Sequence, residues 1–163
     1  MLIITIDDRE VTEALARLSS RVSDMLPAMH QIGQALMEGS RERIAQGRDW
    51  TGATFAPNSP VTLSRKKGSR PLIDRGNLMS SRLHYQASRD AVVVGSSAIQ
   101  AAVLQFGAKK GQFGQTRRGG KIPWSDIPAR RFLPVTESGQ LDPAAKSLIL
   151  DTITRYLSDL DGR

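Results

Sequence analysis

Glycine and proline decide where this chain cannot be regular. Gly52, Pro57, Pro60, Gly68 and Pro71 interrupt residues 48–71, and a second run from Gly107 to Pro134 is interrupted as often. Proline removes a backbone donor that helices and central strands need, and glycine loses the most conformational freedom on ordering. With 14 glycines, 8 prolines and only 5% aromatics in 163 residues, the chain is limited to a modest core with long loops. Regular elements are expected on either side of those interruptions and in one hairpin between them.

Residues 1–6 carry three isoleucines and read as a short strand. Val11, Leu15, Leu18 and Val22 recur at helical spacing, so a helix is expected from Asp8 to about Val22, with Asp7 or Asp8 as N-cap. A second, longer helix is expected from Asp24 to Gln46. Its apolar face is Met25, Met29, Ile32, Leu36, Met37 and Ile44, Pro27 falls in its first turn, and Gly47 is its stop. Residues 72–81 allow a short helix or turn capped by Asp74, with Gly76 as its weak point.

The hairpin is expected over 82–88 and 91–96. Leu83, Tyr85 and Ala87 alternate, Ser88-Arg89-Asp90 is turn-like, and Val92-Val93-Val94 is β-branched. Residues 97–106 are short enough for a strand, but Ile99, Ala102, Val103 and Phe106 fall on one helical face, which favours a short helix with Gly107 at its end. Residues 108–121 form a glycine-rich arm of low hydrophobicity, and 122–134 is extended. A final helix opens with Asp142 as N-cap and Pro143 at its first position and runs to about Leu160. Its stripe is Ala145, Leu148, Ile149, Ile153, Tyr156, Leu157 and Leu160.

These elements give an α+β fold: one domain over 1–163, with a small, mainly antiparallel sheet packed against the long N-terminal-half helix and the C-terminal helix. Extended loops protrude at 48–71 and 108–126. The absence of cysteine excludes disulfide scaffolds, thiolate metal sites and cysteine nucleophiles. No apolar run approaches the ~20 residues of a membrane-spanning helix. The opening residues lack a signal peptide's apolar length and run into acids, so the expected place of synthesis and assembly is the cytoplasm.

Reactive groups do not converge. His30 and His84 are isolated, without the spacing of a metal-binding pair, and no G-x-S-x-G elbow, phosphate-binding loop or dinucleotide fingerprint occurs. The chain is expected to be no enzyme and to carry no metal or cofactor. The excess of charge, +7, is concentrated instead. Arg65, Lys66, Lys67 and Arg70 form one cluster. Lys109, Lys110, Arg117, Arg118 and Lys121 form another, with no acid between 108 and 121 and with Phe113 interleaved. Such runs either neutralise phosphates or form solvated loops that order against a partner.

Four stretches in a fixed order carry a resemblance. They are Gly52 to Pro60 (GATFAPNSP), Pro71 to Ser81 (PLIDRGNLMSS), Val92 to Ser96 with Ala101 to Gly107 (VVVGS, AAVLQFG), and Ile127 to Pro134 (IPARRFLP). With the helices before and after them, over residues 24–160, they resemble the phage virion morphogenesis family, the tail-completion proteins of Mu-like and P2-like contractile-tailed phages. Ala101 stands where the family usually has Tyr, Leu104 where it often has His, and Arg131 where Pro is typical. The arm from Lys109 to Ser125 has no counterpart in those four stretches.

The resemblance implies a structural virion protein that completes the tail and helps join it to the head, as a ring at the tail top or neck. The head-side neck connector of the same joint is the near alternative, and a non-specific DNA-binding protein using the basic loops is the alternative of a different class. The implied partners are further copies in a hexameric or twelve-fold homo-oligomer ring, tail tube, tail terminator or neck proteins, and DNA passing the lumen; no membrane is implied. Candidate contact residues are Arg65, Lys66, Lys67, Lys109, Lys110, Phe113, Arg117, Arg118, Lys121, Trp124, Arg130 and Phe132. Phe106, Phe132 and Leu133 are expected as core or subunit-contact anchors, and Arg130 as the partner of an acid.

Overall fold

The computed structural model describes residues 9–74 and 79–158. The strand expected over 1–6, the caps at Asp7 and Asp8, Gly76, and the helix end at Leu160 lie outside the described residues. In order, the elements are α1 (Arg9–Ser23), α2 (Leu26–Gln46), α3 (Pro60–Arg65), a single 3₁₀ turn at Ser80–Arg82, β1 (Leu83–Ala87), β2 (Val92–Ser96), α4 (Ala101–Phe106) and α5 (Pro143–Ser158). Helices and one antiparallel hairpin make an α+β fold, as the sequence indicates.

The molecule is organised around α2. Ala28, Ile32, Leu36, Ser40 and Ile44 are all buried, one residue in every four, so they run along a single stripe of the helix. Pro27 occupies the first turn, where its missing N–H has no intrahelical role. Gly47 ends the helix at φ 71°, a left-handed conformation that costs glycine nothing.

The hairpin and α5 both pack on α2. β1 and β2 are in register from Leu83 opposite Ser96 to Ala87 opposite Val92, and the Ser88 and Ala91 backbones close the turn at 2.8 Å. Leu83, Tyr85 and Ala87 point inward, as their alternation predicts. Two small residues on α2 set the closeness of approach. A Cβ on Gly33 would lie 2.3 Å from the Tyr85 ring, and one on Gly39 would lie 2.6 Å from the Trp50 ring. Glycine inside a helix costs about 1 kcal/mol relative to alanine; here it gives two aromatic rings direct access to the helix backbone.

Two apolar clusters result. Ile44, Phe55, Leu72, Met79, Leu83 and Phe132 form one, under the loops. Ile32, Leu36, Trp50 and Ala145 form the other, where α2 meets α5, with Leu148, Ile149 and Ile153 packed against it. The Asp142 carboxylate accepts from the Ala144 N–H at 2.9 Å, which is the cap expected for α5.

Several expectations change on folding. Residues 48–71 are not all loop: Ser59 caps α3 by accepting from the Thr62 N–H at 3.2 Å. The residues that Asp74 would cap, 75–78, lie outside the described residues, and beyond them a single 3₁₀ turn spans Ser80–Arg82. Leu15 and Val22 on α1 stay exposed, since α1 touches the rest of the subunit mainly through α5. There Arg21 lies 5.5 Å from the Tyr156 ring centroid, and the Tyr156 hydroxyl donates to the Asp24 carbonyl at 2.9 Å.

Candidate functional site

The glycine-rich arm is a folded-back ribbon. Bridges join Ala108 to Ile127 at its base and Gln115 to Lys121 near its tip. Between them Gly111 donates to the Pro123 carbonyl, Phe113 to that of Ile122, and Ile122 to that of Gly114, at 2.8–3.0 Å. The Thr116 and Gly120 backbones close the tip at 2.8 Å, which places Arg117 and Arg118 in the terminal turn. The expectation of a solvated run is corrected to this extent: apolar burial is absent, but the two limbs satisfy much of each other's backbone. The resulting order is local, set by turn-forming glycines that side-chain hydrophobicity does not reveal.

Asp126 anchors the base of the ribbon. Its carboxylate accepts from the Lys110 N–H at 2.8 Å and meets the Lys109 ammonium at 3.1 Å. The Lys110 backbone bond, then the Lys109 side-chain bond, hold its pKa below the ordinary carboxylate value. Lys109, Lys110, Phe113, Arg117, Arg118, Lys121 and Trp124 thus all belong to one protruding arm, and all are exposed, Trp124 by 78%. The side chains of Lys110, Arg117, Arg118 and Lys121 have no hydrogen bond or ion pair among the described residues. Arg65, Lys66 and Lys67 lie at the end of α3 and just beyond it, with Lys66 donating to the Arg70 carbonyl. No hydrogen bond or ion pair links that cluster to the arm among the described residues.

Next to the arm, α4 reverses the expected face. Its inward side carries Ala101, Leu104 and a buried Gln105; Ile99 just before it and Phe106 at its end are 100% and 60% exposed, and Ala102 is exposed with them. Phe106 is therefore not a core residue. The reason is Gln105. Its Oε1 accepts from the N–H groups of Phe132 and Leu133, both at 3.0 Å, so the amide side chain does what a neighbouring strand would do for that segment. The Arg130 N–H completes the seam by donating to the Leu104 carbonyl at 2.7 Å. The sequence offered Gln105 only as one letter in a family-like stretch, since a buried amide breaks the apolar period that reveals a core face.

Arg130 and Phe132, expected as contact candidates, lie inside the subunit. Phe132 has no exposed surface and sits in the first apolar cluster, which selects the core role from the two expected for it. The Arg130 guanidinium donates to the carbonyls of Ala56 and Pro57 rather than to an acid, and burial lowers its pKa. Trp50 went unnoticed in the sequence. It donates to the Phe132 carbonyl at 3.1 Å and lies 5.4 Å beneath the Arg43 guanidinium. His30 packs edge-on against Tyr85 and His84 is exposed. Among the described residues no three His, Asp or Glu side chains gather as a metal site, and no helix is long and apolar enough to cross a membrane.

The segments that carried the resemblance are thus the ones that lock the subunit: the 52–60 loop, the 71–74 turn, the hairpin with α4, and the irregular segment 127–134. The chain belongs to the phage virion morphogenesis family, whose profile matches residues 6–158. Membership makes it a bacteriophage protein of virion morphogenesis and suggests a structural part of the particle. No curated protein and no solved structure matches the chain.

Proposed function

We propose that the protein completes the tail and helps join it to the head by assembling into a ring at the tail top or neck, without catalytic activity. The observation that carries this reading is the apolar surface left outside the subunit. Ile99, Ala102 and Phe106 form an outward face on and beside α4, and Phe113, Ile122 and Trp124 add exposed apolar area on the arm. Apolar groups of this size seek burial, and a chain of this family has other copies and other virion proteins to provide it. A ring needs one patch that meets a different patch on its neighbour, and a helix face beside a protruding arm supplies two unlike surfaces.

The test is mass photometry of the purified protein alone and with tail proteins, together with detection of the chain in whole particles. A discrete hexameric or twelve-fold mass is expected. Ile99→Glu and Phe106→Glu should leave circular dichroism and thermal stability unchanged, because both side chains are exposed, and should abolish the ring. A chain that stays monomeric in every mixture and is missing from particles overturns the reading.

A further inference from the structure

Residues 60–70 and 108–127 hold nine basic side chains and one acid, Asp126, while the whole chain carries +7. Outside those two segments the protein is close to neutral. Three of its acids pair with arginines of the same subunit, Glu13 with Arg17, Glu38 with Arg41 and Glu137 with Arg131, and Asp142 caps α5. A second copy therefore adds net positive charge to an interface, since each chain carries +7. A molecule dense in anions matches the arm's charge better than a second copy does.

We propose that the arm at 108–127 is a sequence-independent contact for the phosphate backbone of double-stranded DNA. Duplex DNA carries one negative charge per about 1.7 Å of axis, the density that a cluster of unpaired cations matches. Shape supports the same partner. The arm is a two-limbed ribbon, and the major groove, about 12 Å wide, admits a two-stranded ribbon. Arg117 and Arg118 sit exposed in the terminal turn, at the end of the ribbon opposite its Ala108–Ile127 base. Gly114, Gly119 and Gly120 leave the tip slender, so the cations reach phosphates without a bulky flank. The arm carries no Asn, and its two glutamines, Gln112 and Gln115, precede the tip; Gln112 is occupied at the base, accepting from the Lys109 N–H at 2.8 Å. Positioning on phosphates, without base reading, is what such a composition performs.

This inference stands on charge and shape and does not need the ring. It is tested by titrating a labelled duplex of mixed sequence with the full chain across a salt series, using the wild type and the triple variant Arg117→Ala/Arg118→Ala/Lys121→Ala. The three side chains are exposed and unbonded, so the variant should keep its circular dichroism and melting temperature. Wild-type affinity should fall steeply with salt, and the variant's slope of log K against log salt should be shallower by about 2 to 3, near 0.9 for each phosphate no longer neutralised. Wild-type protein that does not bind the duplex at low salt, or an unchanged slope in the variant, overturns the proposal. So does poly-glutamate competing as well as duplex at equal charge, which would make the partner an acidic protein. Mass photometry of the same samples reports on ring formation separately, so either reading can fail alone.

Discussion

Arg130 donates from Nη2 to the Pro57 carbonyl at 2.7 Å and from Nε to the Ala56 carbonyl at 2.8 Å, across more than seventy residues of sequence. One guanidinium thereby ties the loop after α2 to the segment before α5. The planar fork reaches two adjacent carbonyls at once, which a lysine ammonium does less well. Arg130→Ala should destabilise the subunit by about 2–3 kcal/mol, the scale for hydrogen bonds to a charged group, and Arg130→Lys by less. Urea denaturation gives the loss, and limited proteolysis should show new cleavage within residues 52–60 in both variants.

Gly33 is the second position where a small change has a large expected effect. A methyl group there would sit 2.3 Å from Tyr85 Cδ2, so the hairpin must shift on α2. Gly33→Ala should cost about 1–3 kcal/mol in spite of its better helix propensity. Gly33→Ala combined with Tyr85→Val should be more stable than the sum of the single changes predicts, because the clash partner is gone. Thermal melts of the four proteins decide it; strict additivity would show that Tyr85 does not press on Gly33.

Phe132 and Gln105 act on the same segment by different physics. Phe132→Ala leaves a cavity in the first cluster and should cost about 3–5 kcal/mol. Gln105→Leu keeps the volume but strands the N–H groups of Phe132 and Leu133, and should cost about 2–3 kcal/mol. Hydrogen exchange should separate them, with those two amides losing protection selectively in Gln105→Leu.

The Asp126 clasp is acid-sensitive. Its pKa in the folded protein is depressed below 3.8, chiefly by the Lys110 N–H and then by Lys109. A depressed carboxylate contributes stability that is present above the unfolded value and is lost as pH falls through the folded one. The Lys110 amide should therefore exchange faster as pH drops below the ordinary carboxylate range, after correction for intrinsic rates, while core amides of α2 do not change. Asp126→Asn should show the faster exchange already at neutral pH. The clasp is fully exposed, so its effect is on the arm and not on global stability.

The elements with a regular period were legible. The stripe of α2, the glycine that stops it, the two limbs of the hairpin and the Asp142-Pro143 start of α5 each follow from local spacing or capping chemistry. The candidate site was legible in part. Charge arithmetic located both basic clusters and the arm, but Arg130 and Phe132 joined the contact candidates because nothing in a linear pattern separates a buried arginine bonded to carbonyls from an exposed one. For α4 the period pointed the wrong way: Ile99, Ala102 and Phe106 read as a core face, yet the interior is occupied by Gln105.

By itself the sequence determined the long helices α2 and α5, the hairpin and where charge accumulates, because those properties arise among neighbouring residues; the short helix α3 it did not reveal. Only the tertiary structure decided which side of α4 faces inward, what Arg130 holds, and that Asp126 closes the arm. Each of those outcomes depends on backbone donors and acceptors brought together from distant parts of the chain, and a buried polar group takes whichever partner the packed core leaves it.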